Sequence, residues 1–238
     1  MLANRIKPCL GVLIIFCIAE AVIAQTAGTE KVAEFSDMKC ESRRGEVDGL
    51  LLQMKDSREA KGVIKIHGQH HDPVTPYQQK ETIKNHLRFR QFDLGRFEFV
   101  LGESEARFRT ELWKTRADGL AEFDGRPWDY SIEGLRDPLM IDADSWVDGL
   151  GCGWFKPDLD FYSKFLKAND SLFGRIVIRD SSTRKFNSRK EELIKKLARD
   201  HGILAERLEF AFIQSENADT EYWLCPRGSF QHRFVHKP

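Results

Sequence analysis

From residue 28 onward the apolar positions follow two spacings that take turns along the chain. Val47, Leu50, Leu51 and Met54 recur every three or four residues, the period of one helix face. Gly62-Val63-Ile64-Lys65-Ile66 then reads as a strand rich in β-branched residues. A polar loop and a second amphipathic helix follow, with Ile83 and Leu87 on its buried face, and two strands, 96–101 and 108–115, close the series. A short strand at 31–35 precedes the first helix. The whole order then returns: a strand at 139–141, a helix carrying Leu159, Tyr162, Phe165 and Leu166, the strand Arg175-Ile176-Val177-Ile178, a helix carrying Leu193, Ile194 and Leu197, and strands at 207–213 and 220–225.

The return is an internal repeat in register. Cys40 falls on Cys152 and Gly62 on Gly174 at one and the same offset. Arg96-Phe97-Glu98-Phe99 falls on Arg207-Leu208-Glu209-Phe210 with the offset one shorter, and Trp113 on Trp223 with it one shorter again. Each tryptophan lies two residues after a glutamate, Glu111 or Glu221. Such a slow drift is what loop deletions produce in a duplicated unit. A helix with one apolar stripe needs a sheet to bury it, so the order predicts an α+β fold: two repeats of a β-α-β-α-β-β unit, each a small mixed sheet with two helices on one face. The expected division is a signal peptide at 1–24, repeat 1 at 29–118, a connector at 119–135, repeat 2 at 136–228 and a tail at 229–238. The Gly-, Asp-, Pro- and Trp-rich stretch between the repeats suits a structured connector more than a flexible linker.

The first residues are a different material. Arg5 and Lys7 precede an apolar run from Cys9 that ends Val22-Ile23-Ala24, the pattern of a secretory signal cleaved before Gln25. The alternative is an uncleaved membrane anchor, but Glu20 interrupts a run already shorter than the roughly 20 residues a membrane span needs, which favours cleavage, and no span is expected after it. Pro8 and Phe16 precede Cys9 and Cys17, which excludes the small residue a lipid-anchoring signal places there. The expected location is the periplasm or the exterior. Lys plus Arg and Asp plus Glu are 37 each, leaving no global field to draw nucleic acid. Three cysteines remain beyond the signal. A bridge within repeat 2 would join Cys152 to Cys225; pairing between chains, or a thiol left free, stays open.

The run Phe165-Leu166-Lys167-Ala168-Asn169-Asp170 into Arg175-Ile176-Val177-Ile178, then His201-Gly202-Ile203 into Arg207-Leu208, resembles the OmpA-like domain. Glu111-Leu112-Trp113, and Trp223-Leu224-Cys225 followed by Pro226-Arg227-Gly228, are similar to a group of two-copy exported bacterial proteins. The first resemblance implies a peptidoglycan-associated domain that holds the stem peptide with an Asp in the strand-to-helix loop and an Arg in the second helix. Repeat 2 carries Asp180 directly after its strand and Arg189-Lys190 early in the helix; repeat 1 reads Gln69-His70-His71-Asp72 after Gly68, with Gln79 at the basic position. An acid and a base beside a helix N-terminus suit the ammonium and carboxylate groups of such a peptide.

Other constellations add little. His67, His70, His71 and Asp72 crowd one loop, and imidazole with carboxylate is a zinc or nickel donor set, with His70, His71 and Asp72 its candidates. Their spacing matches no metal motif, and no cofactor is expected. No nucleophile-and-base pair, glycine-rich phosphate loop or Gly-x-Ser-x-Gly elbow is present. Asp142, Asp144 and Asp148 form an acidic run without the Glu that closes an EF-hand. The expected function is therefore a non-enzymatic cell-envelope binding or scaffolding protein, with peptidoglycan or an envelope protein as partner and repeat 2 as the binding copy. The alternatives are a structural or protein-interaction module without a small ligand, and a hydrolase of envelope polymers using the connector carboxylates.

Overall fold

A computed structural model of the protein describes residues 28–36, 40–143 and 159–227. The expected signal peptide, Cys152, Asp144 and Asp148 lie outside the described residues. Repeat 1 runs β1 (Glu30–Phe35), α1 (Cys40–Lys55), β2 (Lys61–His67), α2 (Thr75–Phe89), β3 (Phe97–Leu101) and β4 (Arg109–Thr115). Repeat 2 runs β5 (Leu139–Ala143), α3 (Leu159–Ala168), β6 (Leu172–Asp180), α4 (Thr183–His201), β7 (Leu208–Gln214) and β8 (Asp219–Pro226). The fold is α+β in two similar units, as the periodicities predict.

Both sheets have four strands in one order, β1-β4-β2-β3 and β5-β8-β6-β7. The helical crossovers α2 and α4 make β2 parallel to β3 and β6 parallel to β7, and the remaining pairs are antiparallel. The register repeats residue by residue. Gly62 faces Phe97 as Gly174 faces Leu208, and Val63 faces Trp113 as Arg175 faces Trp223. Even the bulge recurs: β1 slips between Lys31 and Ala33, and β5 between Met140 and Asp142, each beside its tryptophan.

The helices bury their stripes on one sheet face. Leu50 and Met54 meet Ile64, Ile66, Leu87 and Leu112 in repeat 1; Phe161, Tyr162 and Phe165 meet Ile176, Leu197 and Leu224 in repeat 2. The paired glycines allow this approach. A Cβ at Gly62 would lie 3.1 Å from Met54 Sδ of α1 and 2.7 Å from the Phe97 ring of the adjacent strand, and one at Gly174 would lie 2.2 Å from the Tyr162 hydroxyl of α3.

The expected strand at 96–101 begins one residue late, because Leu94–Arg96 is a 3-10 turn whose Gly95 N–H is held by Asp93 Oδ1 at 2.9 Å. β6 instead starts three residues before the β-branched run, extended by Leu172 and Phe173, which pair with Pro226 and Cys225. No helix of the described residues is long and apolar enough to cross a membrane.

The connector is folded onto both repeats. Its Trp128 donates from Nε1 to Phe99 O at 2.9 Å, and its Tyr130 and Ile132 are gripped by Asn169, which donates to Tyr130 O at 2.9 Å and accepts from Ile132 N at 2.8 Å. Tyr77 of α2 reaches into the repeat 2 core, with ring centroids 5.1 Å from Trp128, 4.6 Å from Tyr130 and 5.2 Å from Phe165. Its neighbour Gln78 donates to Ile141 O at 2.7 Å. The boundary between repeats in sequence is thus a shared core in space.

Candidate functional site

Ser182 starts α4: its hydroxyl accepts from Lys185 N, and the first turn follows directly on β6. This places Asp180 at the strand end, 8% exposed, where its Oδ1 accepts from Ser181 N at 2.6 Å and Ser181 Oγ at 3.2 Å. Lys185 Nζ stands 3.9 Å from the same oxygen. Arg189 lies in the second turn of α4, since the helix opens earlier than its apolar period alone suggests. Asp180 and Arg189 line one open depression of about 560 Å³, with Leu159, Lys185, Ser188 and Tyr222. Lys196 and Glu192, ion-paired at 2.7 Å, also line it. Lys190 is not part of this group. It points toward β7, 5.6 Å above the Phe210 ring.

Repeat 1 uses the same positions differently. Ile83 and Leu87 match Leu193 and Leu197, and the same step along the chain sets Gln79 against Arg189. Gln79 is buried and accepts from Arg43 Nη1 at 3.1 Å. Asp72 serves its own helix, accepting from Val74 N at 3.1 Å, from Thr75 N at 3.0 Å and from the Thr75 hydroxyl. His70 and His71 are exposed on a cleft of about 790 Å³ between the 68–76 loop and the connector. His67 is buried and separate from them, its Nδ1 3.0 Å from Glu105 Oε1 without hydrogen-bond alignment. Among the described residues no three His, Cys, Asp or Glu side chains converge as metal donors.

The face of sheet 1 away from its helices holds a charge network that the sequence did not signal. Arg109 pairs with Glu105 at 2.5 Å, with Glu34 at 3.3 Å and with Glu111; Lys31 reaches Glu111 at 3.3 Å, and Trp113 Nε1 donates to Glu111 Oε2 at 3.0 Å. Burial alone would raise the Glu111 carboxyl, but hydrogen bonds from Trp113 and Lys31 and the Arg109 charge hold it below the usual range. Burial and the adjacent Arg109 push the His67 imidazole down, partly offset by Glu105 and Glu111. Sheet 2 repeats the core of this arrangement, with Trp223 Nε1 on Glu221 Oε2 at 3.0 Å and Arg179 on Glu221 at 2.6 Å. Period-2 patterning places these residues on one face but carries no information on which charges pair.

Of the acidic run, Asp142 is described: it is buried in the β5 bulge and accepts from Ala143 N at 2.8 Å. Cys225 is a buried free thiol, its pKa pushed up to about 11 by burial; the partner expected for it, Cys152, lies outside the described residues. At the repeat junction Lys80 sits 4.0 Å above the Trp128 ring, and burial, with the Lys84 and Lys164 charges, lowers its amine to about 8. No protein-family model and no curated protein matches the chain.

Proposed function

We propose that this chain is a non-enzymatic binding module of the bacterial cell envelope, in which repeat 2 holds a peptidoglycan stem peptide or a peptide of like charge. The observation that carries the reading is that Asp180 and Arg189 line one open depression beside the start of α4. Repeat 1 has no such pair at the corresponding positions: Gln79 replaces the base and accepts from Arg43, and Asp72 serves the α2 N-terminus. A carboxylate and a guanidinium a few residues apart supply charge-assisted bonds to an ammonium and a carboxylate, the stronger kind of hydrogen bond. The OmpA-like resemblance of repeat 2, and the periplasmic or secreted location implied by the signal pattern, support the same reading.

The test is retention of the full chain by isolated sacculi at low salt, where exposed charges are least screened. Wild type is expected to be retained, Asp180→Ala and Arg189→Ala to wash through, and Lys190→Ala to behave as wild type because it lies over Phe210. If wild type washes through, or if all three variants are retained alike, the reading fails and a protein-interaction module takes its place.

A further inference from the structure

The cleft between the 68–76 loop and the connector, about 790 Å³ in volume, shares no lining residue with the depression at Asp180 and Arg189. Backbone hydrogen bonds fix both of its walls. On the loop side Glu105 N donates to Gly68 O at 2.8 Å, His70 N to Glu105 O at 3.1 Å and Asp72 N to Gln69 O at 3.0 Å. On the connector side Arg126 N donates to Leu101 O at 2.7 Å, and Asn169 holds the Tyr130 carbonyl and the Ile132 N–H. A site with walls already in place binds without the cost of ordering them.

The polar side chains of the cleft have not paired with one another. His70, Asp129, Glu133, Arg136 and Asp137 are exposed, and none forms an ion pair among the described residues. Asp129 accepts from Ser131 N at 3.1 Å. Arg126 donates from Nε and Nη2 to Gly102 O at 3.3 and 3.2 Å and leaves Nη1 without an acceptor among the described residues. At the floor stands Tyr77, 6% exposed. Its ring belongs to the shared core, but its hydroxyl lies in the fields of Asp129 and Arg126, both in the cleft. Burial and the Asp129 charge push this hydroxyl's pKa up, against the Tyr130 N–H and Arg126, so at neutral pH it is a donor. No hydrogen bond among the described residues takes up its hydrogen. A donor nine-tenths buried at the floor of an open cleft calls for an acceptor from outside.

A ligand of one charge meets its own sign here: a cation faces Arg126 and Arg136, and an anion faces Asp129, Glu133 and Asp137. A hydroxyl group avoids this, since it donates to a carboxylate and accepts from a phenol or guanidinium at once. We propose that the cleft binds a neutral saccharide, with one sugar hydroxyl accepting from the Tyr77 hydroxyl and donating to Asp129. Its neighbouring hydroxyls are shared among Glu133, Arg136 and Asp137. Pro76, Pro127, Leu101 and Leu139 line the same cleft and give the C–H faces of the sugar an apolar surface.

A chemical-shift titration of the isotope-labelled full chain tests this. The probes are maltotriose, mannotriose and the N-acetylglucosamine trimer, each taken to about 10 mM, where a site with a Kd of about 1 mM is nearly full. At least one is expected to shift the amides of residues 69–72 and 129–137 and to leave those of 180–189 in place. Tyr77→Phe keeps the ring and removes only the hydroxyl, and Asp129→Asn still accepts from Ser131 N; each is expected to weaken that binding about tenfold. Asp180→Ala is expected to bind as wild type, which keeps this site's failure distinct from that of the repeat 2 depression. No shift with any of the three probes overturns the proposal, as do shifts confined to another face or both cleft variants binding like wild type. Spermidine shifting the same amides where no saccharide does also overturns it, by making the occupant a cation.

Discussion

Arg96 and Arg207 show how one side chain fixes a local geometry twice. Each turns a guanidinium nitrogen onto the joint between the first helix and second strand of its repeat. Arg96 Nη2 meets the carbonyls of Met54, Ser57 and Ala60 at 3.1, 2.7 and 3.1 Å; Arg207 Nη2 meets those of Leu166, Asn169 and Leu172 at 2.8, 2.9 and 2.9 Å. The three acceptors keep the one offset that relates Gly62 to Gly174, so the clamp is inherited whole. A lysine presents a point charge and cannot span three carbonyls in this way. Arg96→Lys and Arg207→Lys are each expected to cost about 2 kcal/mol, the range for bonds to a charged donor. Thermal unfolding should register a Tm lower by roughly 4–8 °C. The aligned arginines were legible as a repeat; their carbonyl partners were not, because backbone acceptors leave no trace in a sequence. A second residue-scale contrast lies at the helix ends. α4 closes on Gly202 at φ 64°, a left-handed position that glycine adopts freely, whereas repeat 1 places Gln91 there at φ 57°. Gln91→Gly is expected to raise stability by about 0.5 kcal/mol, the left-handed penalty less the glycine entropy cost, as read in urea melts.

At the scale of the element, the outer sheet faces share one motif and differ beside it. The Trp-to-Glu bond is 3.0 Å in both repeats, but the flanking cross-strand pair is His67 with Arg109 in repeat 1 and Arg179 with Asp219 in repeat 2. The consequence is an acid sensitivity placed in repeat 1. His67 has its folded pKa lowered from an ordinary 6.5, so above that pH it is neutral in both states and its contribution to stability is complete. As pH falls below 6.5 the unfolded chain takes up the proton first, and stability declines until the folded pKa is passed. Glu111, also lowered, continues the loss below its ordinary 4.5. Urea unfolding of wild type is therefore expected to weaken between about pH 7 and 5, and His67→Gln to flatten that interval while leaving the decline below about pH 4.5. A variant with the wild-type slope would remove His67 from the account. The strands themselves were legible from β-branched runs and alternation. Their pairing was not: β3 and β4 are joined by a short loop, yet β4 crosses β2 to lie between it and β1, an order that alternation along a single strand does not encode.

In the whole molecule, the repeat visible in sequence suggests two separable units, and packing makes them one. Tyr77 belongs to repeat 1 by register, but it is buried among Trp128, Tyr130 and Phe165, while Asn169 ties the connector backbone to the end of α3. Periodicity identified Ile83 and Leu87 as the buried face of α2 and had no means to assign Tyr77, which sits near its start and points to a different core. The ring's removal is the cleanest probe of the coupling. A large buried aromatic truncated to alanine costs about 3–5 kcal/mol, and here the cavity falls between the repeats and not inside either. Wild type is expected to unfold in one calorimetric transition, with calorimetric and van't Hoff enthalpies equal. Tyr77→Ala is expected to divide it, because each repeat keeps its own sheet and helices while losing the shared ring. Leu50→Ala, which opens a cavity of similar cost inside repeat 1, should lower stability without the same uncoupling at the junction. If Tyr77→Ala lowers Tm but retains one transition with equal enthalpies, the coupling runs through Asn169 and Trp128 instead. Asn169→Ala in that background should then complete the division, since the Tyr130 carbonyl and Ile132 N–H lose their partner together.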